Sequence, residues 1–405
     1  MFRKTIFWIH LICGVLTGVI VIMMSATGVV LTYERQMLAW VDRAQFAEPR
    51  PGAAPLPVAE LLDAARGQDP DFEATSVSLS IDPRAPATVS AGRSSALRID
   101  RYSGEVFEPG GERLRSFFGA MTGWHRWFNA SRENRAIPRA ITGASNLAFL
   151  FLILSGFYLW LPPSFKWVAF KTRLLFNGKA VTAKARDLNW HHVFGIWSAI
   201  PLAIVVATAV VFSYGWANDL VYLSVGENPP GSGGPTGGRA VEPTAAHAGP
   251  HGAYETRLAP LPFDALFERA SMQLDGWQTI TLELPRADSA TARLTIDQGN
   301  GGQPQKRHRV TLDRYTGHVE QWQPFDSQST GRQARSWIRF LHTGEALGIT
   351  GQTIAGLVSV TSLIMVWTGL TLAYRRLVAP LLKQRRPRPA FSAGMADGTR
   401  PTAPG

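Results

Sequence analysis

Four long apolar runs without an acidic or basic residue limit what this chain can fold into. They cover residues 6–31, 140–161, 193–217 and 346–374. Each exceeds the ~20 residues that an α-helix needs to cross the hydrocarbon core of a bilayer. The first run follows Arg3 and Lys4, as in a signal peptide, but it is longer than a signal peptide's apolar core of about 7–15 residues. The sequence therefore predicts an α-helical membrane protein that keeps all four spans.

The basic residues predict how these spans are oriented. The chain has 405 residues and a formal net charge of +11, which in a soluble protein would suggest a nucleic-acid partner. Lysine and arginine instead concentrate before the first run, between residues 162 and 190, and after the fourth run. Because positively charged segments stay on the cytoplasmic side of a membrane, both termini and the middle loop are predicted to be cytoplasmic. No nucleic acid is expected as a partner.

The chain also repeats itself. The segment around His10 matches the segment around His191 without a gap, at an offset of 181 residues, and residues 97–106 match residues 310–319 at an offset of 213. The second match contains Asp-Arg-Tyr-[Ser/Thr]-Gly, which predicts a turn between two strands. Each insertion is expected to be a small α+β unit of one helix on a hairpin sheet. The predicted fold is four transmembrane helices in a tandem duplication, with two small α+β domains outside the membrane.

Spans and insertions alternate along the predicted chain. The expected parts are a first transmembrane helix (1–33), a first external domain (34–111), an interfacial segment with the second helix (112–161), a cytoplasmic loop (162–187), the third helix (188–217), an external loop with the second domain (218–325), an interfacial segment with the fourth helix (326–376) and a cytoplasmic tail (377–405).

Histidine is costly inside a bilayer, so histidines in these spans are candidates for function. His10 and His191 repeat near the cytoplasmic side; His192 competes with His191, and the gapless alignment favours His191. The alternative is an interfacial histidine that reaches water. Paired imidazoles between membrane helices are typical of axial ligation of haem iron. Gly14 and Gly195, one turn deeper, would let a flat porphyrin pack against the backbone.

A second pair, His125 and His342, precedes the second and fourth spans and follows stretches rich in arginine and aromatic residues. The separation from histidine to the aligned glycine is 18 residues for Gly143 and 14 for Gly356, a mismatch that one helical turn could absorb. The alternative is two interfacial belts of tryptophan and arginine with incidental histidines. We expect haem ligation here too, with nearby arginines pairing with haem propionates.

Other patterns exclude several classes of protein. Cys13 is the only cysteine, so the chain holds no disulfide and no cysteine-bound iron–sulfur cluster. His247, His251, His308 and His318 are expected to be solvated surface residues. The sequence contains no Walker loop, His-Glu-x-x-His helix or Gly-x-Gly-x-x-Gly fingerprint.

These motifs together resemble the PepSY-associated transmembrane family of bacterial iron-regulated inner-membrane proteins. The resemblance implies four transmembrane helices, two periplasmic PepSY domains, location in the inner membrane and, in siderophore-reductase members, b-type haems held by histidines. Some relatives carry a fused flavodoxin-reductase-like module, which is not expected here, so membrane quinol and a separate cytoplasmic reductase both stay open as electron donors. The matching segments are His10-x-x-x-Gly14, Thr27 to Leu31, the two Asp-Arg-Tyr turns, Ser155 to Trp160 and His191 to Trp197.

The expected function is that of a di-haem b-type cytochrome that reduces ferric siderophore, or another ferric chelate, in the periplasm. One haem iron would be held by His10 and His191 and the other by His125 and His342, with the two halves related by a pseudo-two-fold axis along the membrane normal. The alternative is a membrane-anchored PepSY interaction protein that modulates a periplasmic peptidase or assembly process without redox activity. The expected contact surface for the chelate comprises Arg115, Trp124, Arg126, Trp127, Trp337 and Arg339.

Overall fold

A computed structural model describes residues 1–46, 48–92, 95–107, 110–230 and 259–384. Its helices are α1 (Phe2–Leu31), α2 (Glu34–Arg43), α3 (Val58–Gln68), α4 (Glu112–Trp127), α5 (Ala136–Trp160), α6 (Trp167–Leu174), α7 (Ala183–Ser213), α8 (Gly215–Leu223), α9 (Phe263–Ser271), α10 (Thr330–His342), α11 (Gly348–Leu377) and α12 (Ala379–Gln384). The spans that contain α1, α5, α7 and α11 are long and apolar enough to cross a membrane. The four predicted spans are confirmed as apolar helices.

The four long helices form a bundle in which α1 and α7 each contact both α5 and α11. Small polar side chains join the helices inside: Ser25 Oγ lies 2.8 Å from Ser362 Oγ, and Asn146 Nδ2 donates to a main-chain carbonyl of α7 at 3.1 Å. Large apolar side chains cover the outside, where Leu16 is 73% and Ile200 76% exposed. An apolar exterior around a polar-linked interior is the arrangement of helices that pack in lipid.

Helix α7 departs from its predicted bounds of 188–217. It begins at Ala183, because Thr182 Oγ1 accepts a hydrogen bond from the main-chain amide three residues on, at 3.2 Å, and so caps the helix. It ends before Tyr214, which has extended backbone angles. The segment 162–187, expected as a loop, therefore contains α6 and the first turn of α7.

The two insertions between the spans form one antiparallel sheet. Its strands are β1 (Ser76–Ser80), β2 (Ala87–Ala91), β3 (Ser95–Ile99), β4 (Val106–Phe107), β5 (Thr279–Glu283), β6 (Thr291–Asp297), β7 (Arg307–Asp313) and β8 (Val319–Gln323), in the order β4-β3-β2-β1-β5-β6-β7-β8. Alternate strand residues, among them Val77, Ile99, Leu282 and Leu312, point to one side and are fully buried in a single core with α3 and α9.

The insertions, expected as two separate α+β units, share this sheet. Strands β1 and β5 pair from Ser76 opposite Glu283 to Ser80 opposite Thr279. The pairing leaves neither strand with an open edge, which would otherwise be a site for unwanted strand addition. A sequence pattern predicts strands and hairpins, but the pairing of two distant edge strands depends on how the helices bring them together.

Both turns predicted from the Asp-Arg-Tyr motif are present. Asp100 Oδ1 accepts from the main-chain amides two and three residues on, at 2.8 Å each, and Asp313 Oδ1 accepts from the corresponding amides at 2.9 and 2.6 Å. Gly104 and Gly317 complete the turns with φ angles of 75° and 72°, a conformation that favours glycine.

The other face of the sheet is polar and lies over the ends of the membrane helices. Arg98 of β3 donates to the carboxylate of Asp42 in α2 at 2.6 Å, and Arg115 of α4 donates to the same carboxylate at 2.5 Å. Arg35 of α2 donates to the carbonyl of Asn300, between β6 and β7, at 2.7 Å. We name this end of the bundle the sheet-side end and the opposite end, where the chain begins, the far end.

Candidate histidine-pair site

Two histidines, the sheet-side pair, meet at the sheet-side end of the bundle. His125 lies near the C-terminus of α4, and His342 is the last residue of α10. The centroids of the two imidazole rings are 6.3 Å apart and their planes are inclined by 62°. Helix α4 packs on α1 and α10 packs on α7, so each half of the chain contributes one ring.

Hydroxyl groups on the neighbouring spans orient these rings. His125 Nδ1 lies 2.9 Å from Thr27 Oγ1, which also lies 2.8 Å from a carbonyl one turn back in α1 and donates its single proton there. Thr27 therefore accepts from His125, so Nδ1 carries the proton and Nε2 keeps a lone pair. His342 is held similarly, with Nδ1 2.9 Å from the Val205 carbonyl and 3.2 Å from Thr208 Oγ1.

The far-end pair consists of His10 in α1 and His191 in α7. His10 Nδ1 lies 2.9 Å from Ser155 Oγ of α5, and His191 Nδ1 lies 3.0 Å from Thr368 Oγ1 of α11. Both hydroxyls donate to carbonyls of their own helices, at 2.7 and 2.8 Å, so Nε2 is again the nitrogen with a lone pair. The helices that carry the two imidazoles, α1 and α7, each pack against both α5 and α11.

A small residue follows each of the four hydroxyl residues and makes room for the ring. A Cβ on Gly156, Gly369 or Gly28 would lie 3.3, 3.4 or 3.6 Å from Cε1 of the neighbouring imidazole. At the fourth position Ala209 follows Thr208. The hydroxyls were not predicted as partners of the histidines, although they repeat at the two offsets of the chain, 181 and 213 residues.

His191 rather than His192 takes part in this repeated arrangement. The described residues provide no hydrogen-bond partner for the His192 ring, whereas the His191 ring is fixed by Thr368. The gapless alignment had favoured the same residue. His308, away from both pairs, stacks on Trp322 with ring centroids 5.6 Å apart, and His247 and His251 lie outside the described residues.

The structure differs from two predictions, one about the space beside Gly195 and one about the residues that follow His125. Gly14 and Gly195 were expected to admit a porphyrin, and a Cβ on Gly195 would lie 3.1 Å from Met365 Cε. The separation from histidine to the aligned glycine is four residues longer in the first half than in the second, and these four residues do not form an extra helical turn next to His125. The difference lies mainly in the connection from α4 to α5, residues 128–135, which is three residues longer than the connection 343–347 between α10 and α11. The longer connection contains Phe128 and Asn129 with positive φ and a short 3₁₀ turn, Arg132–Asn134.

The protein interior keeps the sheet-side pair neutral. Burial, followed by the charge of His342, lowers the pKa of His125 to about 4. Burial also lowers the pKa of His342. Both residues are partly buried by surface area. They are therefore neutral at pH 7, which is the form of imidazole that binds metals.

Arginines surround the sheet-side pair. Arg126 and Arg135 lie over the Trp127 ring at 4.5 and 4.2 Å, and Arg335 Nε donates to Asn218 Oδ1 at 2.8 Å. Burial, with the charges of Arg139, Arg135 and Arg339, lowers the pKa of Arg126. This cluster supplies a positive field beside the pair. Arg115, which was expected on the contact surface for the chelate, instead forms an ion pair with Asp42.

The residues present at the sheet-side pair fit a haem. The described part of the chain has no group of three or more His, Cys, Asp or Glu that could hold a metal ion, so a metal here needs ligands from another source, and a porphyrin supplies four nitrogens. Iron bound to Nε2 of two imidazoles at about 2 Å each would place the ring centroids roughly 6 Å apart. The sheet-side rings have a separation of 6.3 Å.

The four apolar helices and the sheet above them define a multi-pass helical membrane protein. The family model described as the PepSY-associated TM region matches residues 7–376, nearly the whole chain. The chain belongs to this family, and the resemblance seen in its motifs is confirmed. No curated protein matches it.

Proposed function

We propose that this protein is a di-haem b-type membrane cytochrome that passes electrons across the membrane to a ferric chelate, as a ferric-siderophore reductase does. The observation that supports this most is the similar environment of all four histidines. At each of them Nδ1–H is held by an acceptor and Nε2 keeps its lone pair. A haem b at each pair would supply one-electron transfer. One pair near each end of the bundle would give electrons a route across the insulating layer.

We further propose that the two halves arose by tandem duplication and are related by a pseudo-two-fold axis along the membrane normal. The hydroxyl partners Thr27 and Thr208 repeat at the offset of 181 residues, and Ser155 and Thr368 repeat at the offset of 213. Two four-stranded meanders that meet at β1 and β5 are consistent with such an axis and with two PepSY-like units.

The orientation we propose puts the far end in the cytoplasm and the sheet in the periplasm, with the protein in a bacterial inner membrane. Basic residues support it, because they concentrate at the far end, among them Arg173 after α5 and Arg375 at the end of α11. The far-end pair would then face the electron donor, a membrane quinol or a separate cytoplasmic reductase. The sheet-side pair would face the substrate.

At the substrate side, residues of this chain would attract and position the chelate. The arginines around Trp127 supply a positive field that favours an anionic complex, and this effect should weaken with salt. The chelated Fe(III) gains one electron from the donor and becomes Fe(II). Hard oxygen ligands hold Fe(II) less well than Fe(III), so reduction favours release of the iron.

A reduced-minus-oxidised spectrum of the purified protein, with a haem-to-protein ratio, tests this function. We expect a b-type spectrum with two haems, of which His10→Ala or His191→Ala removes the far-end haem only and His125→Ala or His342→Ala removes the sheet-side haem only. His192→Ala should retain both. Protein without haem would support the non-redox interaction protein instead, and loss of haem only in His192→Ala would reassign the far-end ligand.

A second measurement separates the cytochrome from the iron assignment. Chemically reduced protein should be re-oxidised by ferric siderophore in stopped-flow spectra, and His125→Ala or His342→Ala should abolish this with the fold intact. If reduced protein is not re-oxidised by any ferric chelate but reduces another acceptor, the assignment as a cytochrome stands and the assignment of a ferric chelate as substrate is wrong.

A further inference from the structure

A cavity of 280 Å³ lies between the polar face of the sheet and helix α10. Strands β5, β6 and β7 form its polar side and α10 forms part of its base. Phe325 and Phe340, which are 7% and 6% exposed, give the base an apolar character. Its lining includes Thr281, Thr295, Arg307, Arg309, Ser336 and Phe340.

The cavity carries an uncompensated positive charge. Arg307 Nε lies 3.2 Å from Asp297 Oδ2, so that guanidinium has a counter-ion. Arg309, two residues along β7 on the same face, is exposed and makes no ion pair among the residues that the structure describes. Hydroxyl groups of Thr295 and Ser336 add hydrogen-bond capacity. An anion with several oxygen atoms is the ligand that such a lining favours.

The sheet itself does not require this arginine. At the offset of 213 residues Ala96 of β3 occupies the position of Arg309 of β7, and β3 pairs with β2, as β7 pairs with β6, without a register shift. The side chains that build the core from β7, Val310 and Leu312, point to the other face. Arg309 therefore has no packing role that would explain it.

The cavity adjoins the sheet-side pair through one rigid element. Ser336, Phe340 and His342 all belong to α10. Because a helix rises about 1.5 Å per residue, the two lining residues lie roughly 9 and 3 Å along the axis from His342. A ligand seated in the cavity would lie on the same side of the bundle as the sheet-side imidazoles.

We propose that this cavity binds an anionic ferric chelate of the polycarboxylate class and holds it beside the sheet-side pair. Its volume of 280 Å³ lies just below the roughly 300–1,000 Å³ of small-molecule pockets, which favours a small open-chain chelate. Arg309 binds its carboxylate groups, and Phe340 contacts its carbon skeleton. The fate of the bound iron rests on the proposed function, whereas the binding does not.

Gallium(III) citrate is the probe, because gallium(III) has the charge of ferric iron but is not reduced, so binding is measured without electron transfer. Isothermal titration of the purified full-length protein should show saturable binding. Arg309→Gln should weaken it about tenfold or more, as expected for loss of a charge-assisted contact. Ser336→Phe, which fills the cavity, should weaken it similarly. Arg293→Gln is the matched control, since Arg293 is an exposed arginine on the same sheet face outside the cavity.

Wild-type protein that does not bind gallium citrate overturns this proposal, even if ferric siderophore re-oxidises its haems and the proposed function stands. Equal weakening by Arg309→Gln and Arg293→Gln also overturns it, because the effect would then be a general one of surface charge. Metal-free citrate that binds as tightly as the gallium complex would overturn the assignment to a chelate. Specific binding of gallium citrate to a purified protein that contains no haem would support the proposed binding cavity and contradict the proposed reductase function.

Discussion

The imidazole of His191 and the hydroxyl of Thr368 lie 3.0 Å apart across two membrane helices, and the glycine after the threonine lies directly against the ring. The orientation of the imidazole is therefore set by α11, not by α7, which carries it. The same relation joins His10 to Ser155 of α5. Ring geometry at the far end depends on the packing of all four long helices.

Replacing the hydroxyl should weaken haem retention without removing a ligand. Thr368→Val keeps the side-chain shape but deletes the acceptor that holds His191 Nδ1. Loss of such a ligand-orienting contact typically costs about 10–100-fold in metal-site affinity. We expect a corresponding rise in the rate of far-end haem transfer to apomyoglobin. Thr361→Val is the control, because that exposed hydroxyl in the same helix bonds only to its own backbone, at 2.9 Å; equal effects of the two changes would contradict the role given to Thr368.

Adding one methyl group beside His10 should disturb the far-end pair. A Cβ on Gly156 would lie 3.3 Å from His10 Cε1, and overpacking of this kind typically costs about 1–3 kcal/mol. We expect Gly156→Ala to lower the far-end haem content and leave the sheet-side haem in place. Gly119→Ala in α4 meets no atom within 4 Å and should keep both haems. Full far-end occupancy in Gly156→Ala would show that the ring can move at little cost.

Reporter fusions should read opposite sides of the membrane at the two ends of the bundle. Alkaline phosphatase inserted after Gly178, at the far end, should be inactive, and the same enzyme inserted after Gly226 should be active. The reason is the concentration of lysine and arginine around Gly178. A green fluorescent protein fused at the same positions should give the reverse pattern. Active phosphatase at Gly178 would exchange the faces assigned to the two histidine pairs.

Removing one carboxylate should loosen the sheet from the helices. Asp42 is 8% exposed and accepts from both Arg98 and Arg115. Asp42→Ala leaves two partly buried guanidiniums without their counter-ion. Breaking a fully buried pair from one side typically costs about 3–5 kcal/mol, and we expect a smaller loss here because solvent reaches both arginines. Thermal unfolding should show this loss. The exposed pair of Glu48 with Arg84 provides the control, since Glu48→Ala should change the unfolding temperature little.

The sequence predicted features that depend on local pattern and repetition. The apolar runs predicted the four helices, and the Asp100 and Asp313 motifs predicted the two turns. Repetition led to all four histidines that are found in two pairs. It did not lead to Thr27 or Thr368, because a hydroxyl inside an apolar helix ordinarily bonds to its own backbone, and only the packing of two helices shows that it also accepts from a histidine.

The contact between Ser78 of β1 and Thr281 of β5 joins residues 203 positions apart in the chain. Contacts of such separation form late, because a long loop must close before they contribute. During synthesis the first half therefore exists for a time with the β1 edge uncovered, until the third helix is inserted and β5 arrives. Truncated chains that stop before β5 should accordingly aggregate or recruit chaperones. In the complete sheet β5 covers the β1 edge by pairing with it.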